Sequence, residues 1–411
     1  VPEETGVRGV PEETGVRGVP EEAAELARDF DPTDARVVRD PYPVYAAMRA
    51  GCPVGHGSRF GGFHVLSRFA DVCQAAHDTG VFSSANGVTV PDFGNPLAAI
   101  PLEVDPPEHT RWRHLIQAWF SPQSAAQLEP DIRNIVNTQI DGFIERGEAD
   151  LAQELAVPVP PLVIGRMLGL PEQDWPYYRE LSETMLAAAA VEDSQVNAEQ
   201  ALQLFSYLFE LLEDRKENPR DDLLTRIVQL TYEGRELTEE ELLGITFLLA
   251  VAGHETTVGG IGMLLTRLAE RPEIQDAIRG DERLRFSAIE ESLRFDPPIQ
   301  YFSRTVTGDT AVGGTSLREG DKVLLSWASA NRDPDAFDDP DAFVYDRPNN
   351  RHIAFGSGPH RCVGAHLARL EMRVVLEEVL RRLPTFRLAD PDGVVMAGGI
   401  TRWARHLPVV W

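Results

Sequence analysis

Apolar residues recur three and four positions apart over most of the chain, which is the spacing of one buried helix face. This pattern predicts helices over residues 111–120, 124–146, 195–215 and 283–295 and over Ala365–Arg382. Short β-branched or aromatic runs predict strands at Phe63–Leu66 and at residues 322–326. We therefore expect a mainly α-helical fold with a smaller β-rich region.

The longest helical pattern begins at a T-x-x-E capping box, formed by Thr238 and Glu241, and ends before Pro272. About 30 residues would span roughly 45 Å of helix, enough to cross a whole domain. The middle of this pattern, residues 253–260, holds glycines and hydroxyls, which are less stable in a helix than alanine. Such a patch inside a core helix indicates a kink or a groove against a ligand.

The chain of 411 residues has a formal net charge of −26. A basic stripe is needed to bind phosphates, so this balance argues against nucleic acid and against anionic lipid as partners. Three widely spaced cysteines, Cys52, Cys73 and Cys362, predict no disulfide framework and a reducing, cytoplasmic setting. We also expect no signal peptide and no membrane anchor, because the most apolar stretch, residues 242–252, is too short to cross a bilayer.

The first residues form a polar repeat. Residues 1–9 read VPEETGVRG, residues 10–18 repeat them, and a third copy starts at Val19. Repeats of this kind cannot bury a core. We therefore predict a disordered tail over residues 1–30 and one domain over residues 31–411, where no linker-like segment interrupts the pattern.

Residues 355–364 read FGSGPHRCVG, with one cysteine just before a predicted helix. The glycines and the proline indicate a tight turn. The free N–H groups and the dipole of the helix N-terminus should lower the pKa of the Cys362 thiol, and Gly364 leaves room for a planar group. These features suit a cysteinate ligand to iron. The alternatives are a small buried cysteine and a zinc site shared with nearby histidines, His352, His360 and His366.

These ten residues match F-x-x-G-x-x-x-C-x-G at every fixed position, and the chain after the tail resembles the bacterial class of the cytochrome P450 superfamily. The resemblance implies a single triangular, mostly α-helical domain that binds one haem b non-covalently, with Cys362 as the iron ligand. It also implies which residues contact the haem or its propionates: His109, Arg113, Ala252, Arg304, Phe355, Gly356, His360 and Gly364. His109 and Arg113, at i and i+4, would share one helix face.

Residues 252–256, AGHET, resemble the oxygen-activation signature on the long helix of the same family. The resemblance implies that Glu255 and Thr256 are catalytic and deliver the protons that cleavage of the O–O bond requires. Judged from the helix alone, Thr256 would instead hydrogen-bond back to its own helix and Glu255 would face solvent.

Glu291 and Arg294 form an E-x-x-R pattern, so they share a helix face and can pair. Taken alone, this pattern indicates a surface salt bridge of little energetic value. The family resemblance implies instead a buried structural triad that includes Arg347. Val344 stands where the family often has aspartate.

The resemblance places a substrate pocket among apolar residues of several segments: Val88, Phe93, Phe247, Leu248, Val251, Ile299, Tyr301 and Ile400. Apolar walls predict a hydrophobic, carbon-rich substrate. Residues 88–100 contain glycine and proline, and we expect them to form a mobile lid.

The implied reaction inserts one oxygen atom of O2 into a hydrophobic small molecule and reduces the other atom to water. Electrons would come from NAD(P)H through a separate ferredoxin and ferredoxin reductase, because the sequence shows no flavin or iron–sulfur domain. An acidic donor would need a basic patch, expected at Arg111, Arg361, Arg369 and Arg373. Two alternatives are a peroxide-driven haem-thiolate peroxygenase, against which the Glu255–Thr256 pair argues, and a haem protein that binds a ligand without turnover.

Overall fold

Helices make up about half of the residues that the computed structural model describes, which are 20–92, 97–178, 180–181 and 194–411. The α-helices are α1 (Glu21–Arg28), α2 (Ala35–Arg39), α3 (Tyr42–Gly51), α4 (Phe69–His77), α5 (Glu108–Ile116), α6 (Pro122–Gln127), α7 (Glu129–Asp141), α8 (Val159–Leu168), α9 (Ser194–Glu217), α10 (Leu223–Val228), α11 (Glu239–Ala252), α12 (Glu255–Glu270), α13 (Pro272–Arg279), α14 (Glu282–Phe295), α15 (Trp327–Ala330) and α16 (Ala365–Arg382).

Short strands occupy much less of the chain. They are β1 (Val54–Gly57), β2 (Phe63–Leu66), β3 (Phe82–Ser83), β4 (Glu148–Asp150), β5 (Thr231–Tyr232), β6 (Arg235–Glu236), β7 (Phe302–Val306), β8 (Thr310–Val312), β9 (Thr315–Leu317), β10 (Lys322–Leu325), β11 (Arg387–Leu388), β12 (Val395–Ala397), β13 (Trp403–His406) and β14 (Pro408–Val410). The prediction of a mainly helical fold with a smaller β-rich region is confirmed.

The largest described sheet has the strand order β1-β2-β10-β7-β3. Its neighbours are antiparallel except for β2 and β10, which run parallel. In the β7–β10 register Arg304 lies opposite Val323, so the sheet carries one of the predicted haem-contacting residues. The other strands form the smaller sheets β11-β14-β4, β12-β13, β5-β6 and β8-β9.

The long predicted helix is two helices. The capping box at Thr238 and Glu241 is present in both directions and starts α11, which ends at Ala252. Gly253 and His254 then form a turn before α12. The prediction of one continuous helix is therefore wrong, and the break falls within the patch where the sequence indicated a kink or a groove, at the first two of its residues.

α12 is a core helix. It packs against α14, α16 and β13, and its apolar residues Leu264, Leu265 and Leu268 are almost fully buried. Together, Glu239–Glu270 are long and apolar enough to cross a membrane, but 61% of the most apolar window is buried inside the protein. Burial of this kind is typical of a helix that crosses a folded domain.

Two sequence-based boundaries are wrong. Residues 124–146 are not one helix, because α6 ends at Gln127 and Pro130 lies in the first turn of α7, where proline is tolerated. The folded part also begins before residue 31: α1 packs on α3, and Phe30 is 1% exposed. Phe30 N donates to His56 O of β1 at 2.8 Å, so the residues just before 31 belong to the domain.

The buried triad of Glu291, Arg294 and Arg347 is present. Arg294 Nε and Nη2 donate to the two carboxylate oxygens of Glu291 at 2.8 Å each, and Arg347 Nε donates to Glu291 Oε2 at 3.0 Å. The side chains of Glu291 and Arg294 are both 0% exposed, so the surface-bridge alternative is wrong. Val344 contributes its backbone, because its N–H donates to Glu291 Oε1 at 2.8 Å.

We expect Glu291→Ala to lower the free energy of unfolding by about 3–5 kcal/mol, because it leaves two guanidinium groups inside the protein without their carboxylate. Urea unfolding followed by circular dichroism measures this change. Glu273→Ala is the matched control, since Glu273 pairs with Arg271 at the surface, where such a pair contributes about 0–1 kcal/mol. Equal losses in the two variants would contradict the structural role of the triad.

Candidate functional site

The cysteine loop (residues 355–364) is closed by its own backbone. Cys362 N donates to Phe355 O at 2.8 Å. Gly356 and Gly358 have φ of 74° and 72°, in the left-handed region that favours glycine. A Cβ on Gly358 would lie 2.4 Å from a carbonyl oxygen of α4. The tight turn that the sequence predicts is therefore present, and it places the cysteine just before α16.

The Cys362 thiol has neighbours that stabilise an anion. Burial raises the pKa of this thiol, while the Gly364 N–H group and Arg113 lower it. The prediction of a lowered pKa is therefore wrong for the protein alone, because burial outweighs the helix terminus. A metal ion ionises a coordinating thiol outright, and the same neighbours would then offset the charge on the sulfur.

Cys362 and Ala252 both present accessible surface, and for Ala252 this surface lies next to buried residues of the same helix. Ala252 ends α11, where Leu249 and Ala250 are 5% and 0% exposed. On the cysteine side, the nearest atom to a Cβ placed on Gly364 is Cys362 Sγ at 3.9 Å. The backbone beside the thiol therefore leaves space for a planar group, as the sequence suggested.

His109, Arg113, Arg304 and His360 come together from α5, β7 and the cysteine loop. The rings of His109 and His360 are 4.1 Å apart between centroids, and both arginines act electrostatically on both histidines. His109 and Arg304 are each 2% exposed. Among the described residues, the Nδ1 atoms of His109 and His360 are buried without a hydrogen-bond partner.

This cluster favours an anionic ligand. Burial first, and then the neighbouring arginines, lower the pKa of His109 to about 4 and that of His360 to about 3. Burial also lowers the pKa of Arg304 to about 10. Asp105 is a nearby acid, but it already accepts the Ser84 N–H at 2.8 Å. Buried donors with so little opposing charge are stabilised by a further anion, and the two propionates of a haem fit this requirement.

The turn between α11 and α12 leaves a carbonyl group that Thr256 satisfies. Thr256 Oγ1 donates to Ala252 O at 2.9 Å, so the hydroxyl makes the back-bond that helix geometry alone would predict. Because this bond uses the single hydroxyl proton, the Thr256 oxygen can still accept a hydrogen bond from another group. The back-bond is therefore compatible with a role in proton delivery.

Glu255 is the first residue of α12 and is only partly exposed. Burial raises the pKa of its carboxyl group from 4.5 to about 7, so the group exchanges a proton near neutral pH, as a general acid must. Thr401 Oγ1 donates to Glu255 Oε1 at 2.7 Å, across 146 residues of sequence. The sequence analysis names only the adjacent Ile400, as a pocket residue, and no local pattern indicates the contact of Thr401 with Glu255.

The predicted pocket residues lie in more than one part of the core. Phe247 stacks on Phe205 of α9 at 4.5 Å between ring centroids, and Leu248 and Val251 are partly buried on the same helix. Residues 97–100 lie against this helix, because a Cβ on Gly244 would be 2.5 Å from Ala98 O.

A second group of predicted pocket residues lies near the N-terminal helices. Tyr301, Ile400 and Val90 share a core cluster with α3, and Tyr301 OH donates to Val90 O at 3.2 Å. Val88 O accepts the Ser303 N–H at 2.7 Å, and Ile299 pairs with Thr401 in an isolated β-bridge. Phe93 lies outside the described residues.

The predicted basic patch is mostly neutralised. Arg369 donates to both carboxylate oxygens of Glu290 at 2.7 and 2.8 Å and covers the Phe355 ring at 4.3 Å. Arg373 pairs with Glu129 and Glu377, and Arg111 pairs with Glu233. Arg361 is exposed and, within the described ranges, has no ion-pair partner. Of the four arginines, Arg361 is therefore the one available to a partner.

The zinc alternative has no support from the described part of the chain. No group of three or more histidine, cysteine or acidic residues there could hold a metal ion. His352 instead contacts Glu290 Oε2 through Nε2 at 3.1 Å. His366 is exposed on α16.

Comparisons with known proteins agree on one family. The family model described as Cytochrome P450 matches residues 186–283 and 286–394. A steroid C26-monooxygenase of Mycolicibacterium smegmatis is 34% identical over 90% of this chain and 92% of its own. Nocardicin C N-oxygenase of Nocardia uniformis subsp. tsuyamanensis is 39% identical over 75% and 79% of the two chains. The solved structure of CYP109Q5 from Chondromyces apiculatus is 34% identical, with a TM-score of 0.83 over 93% and 98% of the two chains.

We expect Arg304→Leu to speed haem loss about tenfold or more, because a charge-assisted hydrogen bond contributes about 1.5–3 kcal/mol and tenfold corresponds to about 1.4 kcal/mol. Transfer of haem to apomyoglobin measures the rate. Arg318→Leu removes an exposed arginine near the same sheet and should leave the rate unchanged. Equal rates for the two variants would exclude Arg304 as a propionate ligand.

Proposed function

The chain belongs to the cytochrome P450 family and is a monooxygenase of that family, and from this premise we propose that it oxidises a hydrophobic organic molecule at a haem bound through Cys362. The observation that carries the proposal is the pairing of two features. A single cysteine lies in a closed loop before α16, and a buried cluster of donors suits two carboxylates. Both features match what one anionic, iron-containing planar cofactor needs.

The haem would supply the iron that binds and activates O2, and a thiolate ligand would favour cleavage of the O–O bond. Cys362 would bind the iron, with Phe355, Gly356 and Gly364 shaping the loop. Four residues would bind the propionates, namely His109, Arg113, Arg304 and His360. Ala252 would contact the haem, and its accessible surface at the turn between α11 and α12 supports this role.

Glu255 and Thr256, at the turn between α11 and α12, would deliver protons for the reaction. Glu255 would be the acid, because the pKa of its carboxyl group lies near 7. Thr256 would accept a hydrogen bond through its oxygen while its proton stays on Ala252 O. A residue pair of this kind can hold water in a fixed position and pass protons inward.

The substrate we propose is apolar. Support comes from the apolar character of Val251 and Ile100, which are partly buried and pack against the hydrophobic core. Two named relatives oxidise a steroid and nocardicin C. Such different substrates in related proteins mean that the pocket residues, and not the fold, decide specificity.

We propose that electrons reach the enzyme from NAD(P)H through a ferredoxin and its reductase in the cytoplasm. The three cysteines are all free, which suits a reducing compartment. Arg361, beside the iron ligand, provides exposed positive charge for an acidic donor.

The function is tested with purified, haem-loaded protein and a library of hydrophobic compounds. A spin-state shift of the haem spectrum identifies binders, and each binder is then incubated with NADH, ferredoxin and reductase, or with hydrogen peroxide alone. Product with the electron chain supports a monooxygenase, whereas product only with peroxide would show a peroxygenase. Cys362→Ser serves as the control, since it should lose the strongly red-shifted Soret band of the reduced carbon monoxide complex, while Cys73→Ser retains it.

We expect Thr256→Ala to keep haem and substrate binding but to divert electrons from product to peroxide, because proton delivery loses its acceptor. The ratio of product to NADH consumed should fall several-fold. Thr266→Ala is a matched control on the same helix, since Thr266 Oγ1 makes an equivalent bond to Gly262 O at 2.8 Å. An unchanged ratio in Thr256→Ala would exclude the proton-delivery role.

We expect Arg361→Glu to slow reduction by ferredoxin and to steepen its dependence on salt, because one attractive charge becomes repulsive. Stopped-flow reduction measures the rate, and the spectral Kd for substrate should not change. Arg318→Glu makes the same charge change at an exposed arginine outside the cysteine loop and should have no effect. If both variants are reduced at the wild-type rate, the donor docks elsewhere.

A further inference from the structure

The hydrogen bond between Thr401 and Glu255 joins two segments that are far apart in sequence. Thr401 Oγ1 donates to Glu255 Oε1 at 2.7 Å. We propose that Thr401 is a positioning residue, which holds the Glu255 carboxyl group in the orientation from which it delivers protons. This inference rests on the proposed function, because it assumes that Glu255 is the acid of the reaction.

Backbone hydrogen bonds fix the position of Thr401. Its neighbours on both sides are hydrogen-bonded to the segment before β7: Gln300 N donates to Ile400 O at 2.8 Å, and Arg402 N donates to Pro298 O at 2.7 Å. Thr401 itself forms an isolated β-bridge with Ile299. The hydroxyl group therefore has a fixed starting point, which a residue on a loose loop would lack.

α12 packs closely against residues 400–402. A Cβ on Gly259 would lie 2.9 Å from Arg402 O and 3.0 Å from the Pro298 side chain. Glycine at this position lets the helix approach the backbone of residues 400–402. Glu255 lies one turn earlier on the same helix, so the close packing brings its carboxyl group to Thr401.

The Thr401 hydroxyl group takes no part in the backbone bonds that join residues 400–402 to residues 298–300. The bonds that join the segments are backbone bonds, and a valine side chain has the branched shape of threonine without its hydroxyl. Thr401→Val therefore removes the hydrogen bond to Glu255 and keeps the backbone bonds of residues 400–402. Thr401→Ser keeps a hydroxyl group and should restore the bond.

The hydrogen bond from Thr401 affects the pKa of the Glu255 carboxyl group. Burial raises the pKa of the carboxyl group, and the Thr401 hydrogen bond opposes that rise. His254, the adjacent titratable residue, is buried. The guanidinium group of Arg402, next to Thr401, donates hydrogen bonds to Val38 O and Arg39 O at 2.6 and 2.9 Å. Loss of the hydroxyl group should therefore raise the pKa of Glu255 further and leave the acid less able to release its proton.

The experiment compares Thr401→Val, Thr401→Ser and Glu255→Gln with the wild-type holoenzyme. The first measurement is product formed per NADH consumed across pH. The second is the protonated-carboxyl C=O stretching band in infrared difference spectra, which Glu255→Gln identifies, and which needs no turnover. We expect Thr401→Val to lower the product ratio several-fold and to move the band's titration to higher pH. Thr401→Ser should behave as wild type, and the double variant with Glu255→Gln should be no worse than Glu255→Gln alone.

The outcomes separate this inference from the proposed function. If Glu255→Gln leaves the product ratio unchanged, Glu255 is not the acid and that part of the proposed function fails. If Glu255→Gln lowers the ratio but Thr401→Val changes neither the ratio nor the titration, the positioning role of Thr401 is wrong. It is also wrong if Thr401→Val acts only by raising the Kd for substrate, because Thr401 would then be a pocket wall.

Discussion

The buried carboxylate of Glu291 positions the cysteine loop. Arg294, which it binds, also donates to Asn331 O at 2.9 Å, and Asn331 Oδ1 accepts the Ile353 N–H at 2.8 Å. Ile353 O in turn accepts the Gly356 N–H at 2.9 Å, at the start of the loop that ends in the cysteine. A chain of hydrogen bonds thus runs from α14 to the start of the cysteine loop. Since Glu291, Arg294 and Asn331 are buried, losing the carboxylate would leave several polar groups without partners.

A second carboxylate supports the same loop. Glu290, next to Glu291, binds Arg369 of α16 and His352, and Arg369 lies over the ring of Phe355. This arginine therefore connects the helix after the cysteine with the residue that starts the loop. The Arg369 charge, which the sequence suggested for docking a partner, is therefore bound within the protein, where it keeps the cysteine loop rigid.

The two sides of the candidate site differ in their electrostatics. On the cysteine side, His109, Arg113, Arg304 and His360 favour an anion. On the side of the α11–α12 turn, partial burial raises the pKa of the Glu255 carboxyl group to about 7. One side therefore suits the binding of a charged cofactor and the other suits the transfer of protons. The turn at Gly253 and His254 costs helix stability, and the buried leucines of α12 offset that cost.

Local patterns were enough to determine the helical class, the capping box of α11, the interruption near residue 253 and the cysteine turn. Each depends on neighbouring residues, whose spacing and backbone preferences carry the information. Burial was not local, so the sequence misjudged the pKa of the Cys362 thiol and the freedom of Arg369 and Arg373. The contact of Thr401 with Glu255 was also decided only in three dimensions. It depends on how α12 packs against the backbone of residues 400–402, and no spacing along the chain encodes that approach.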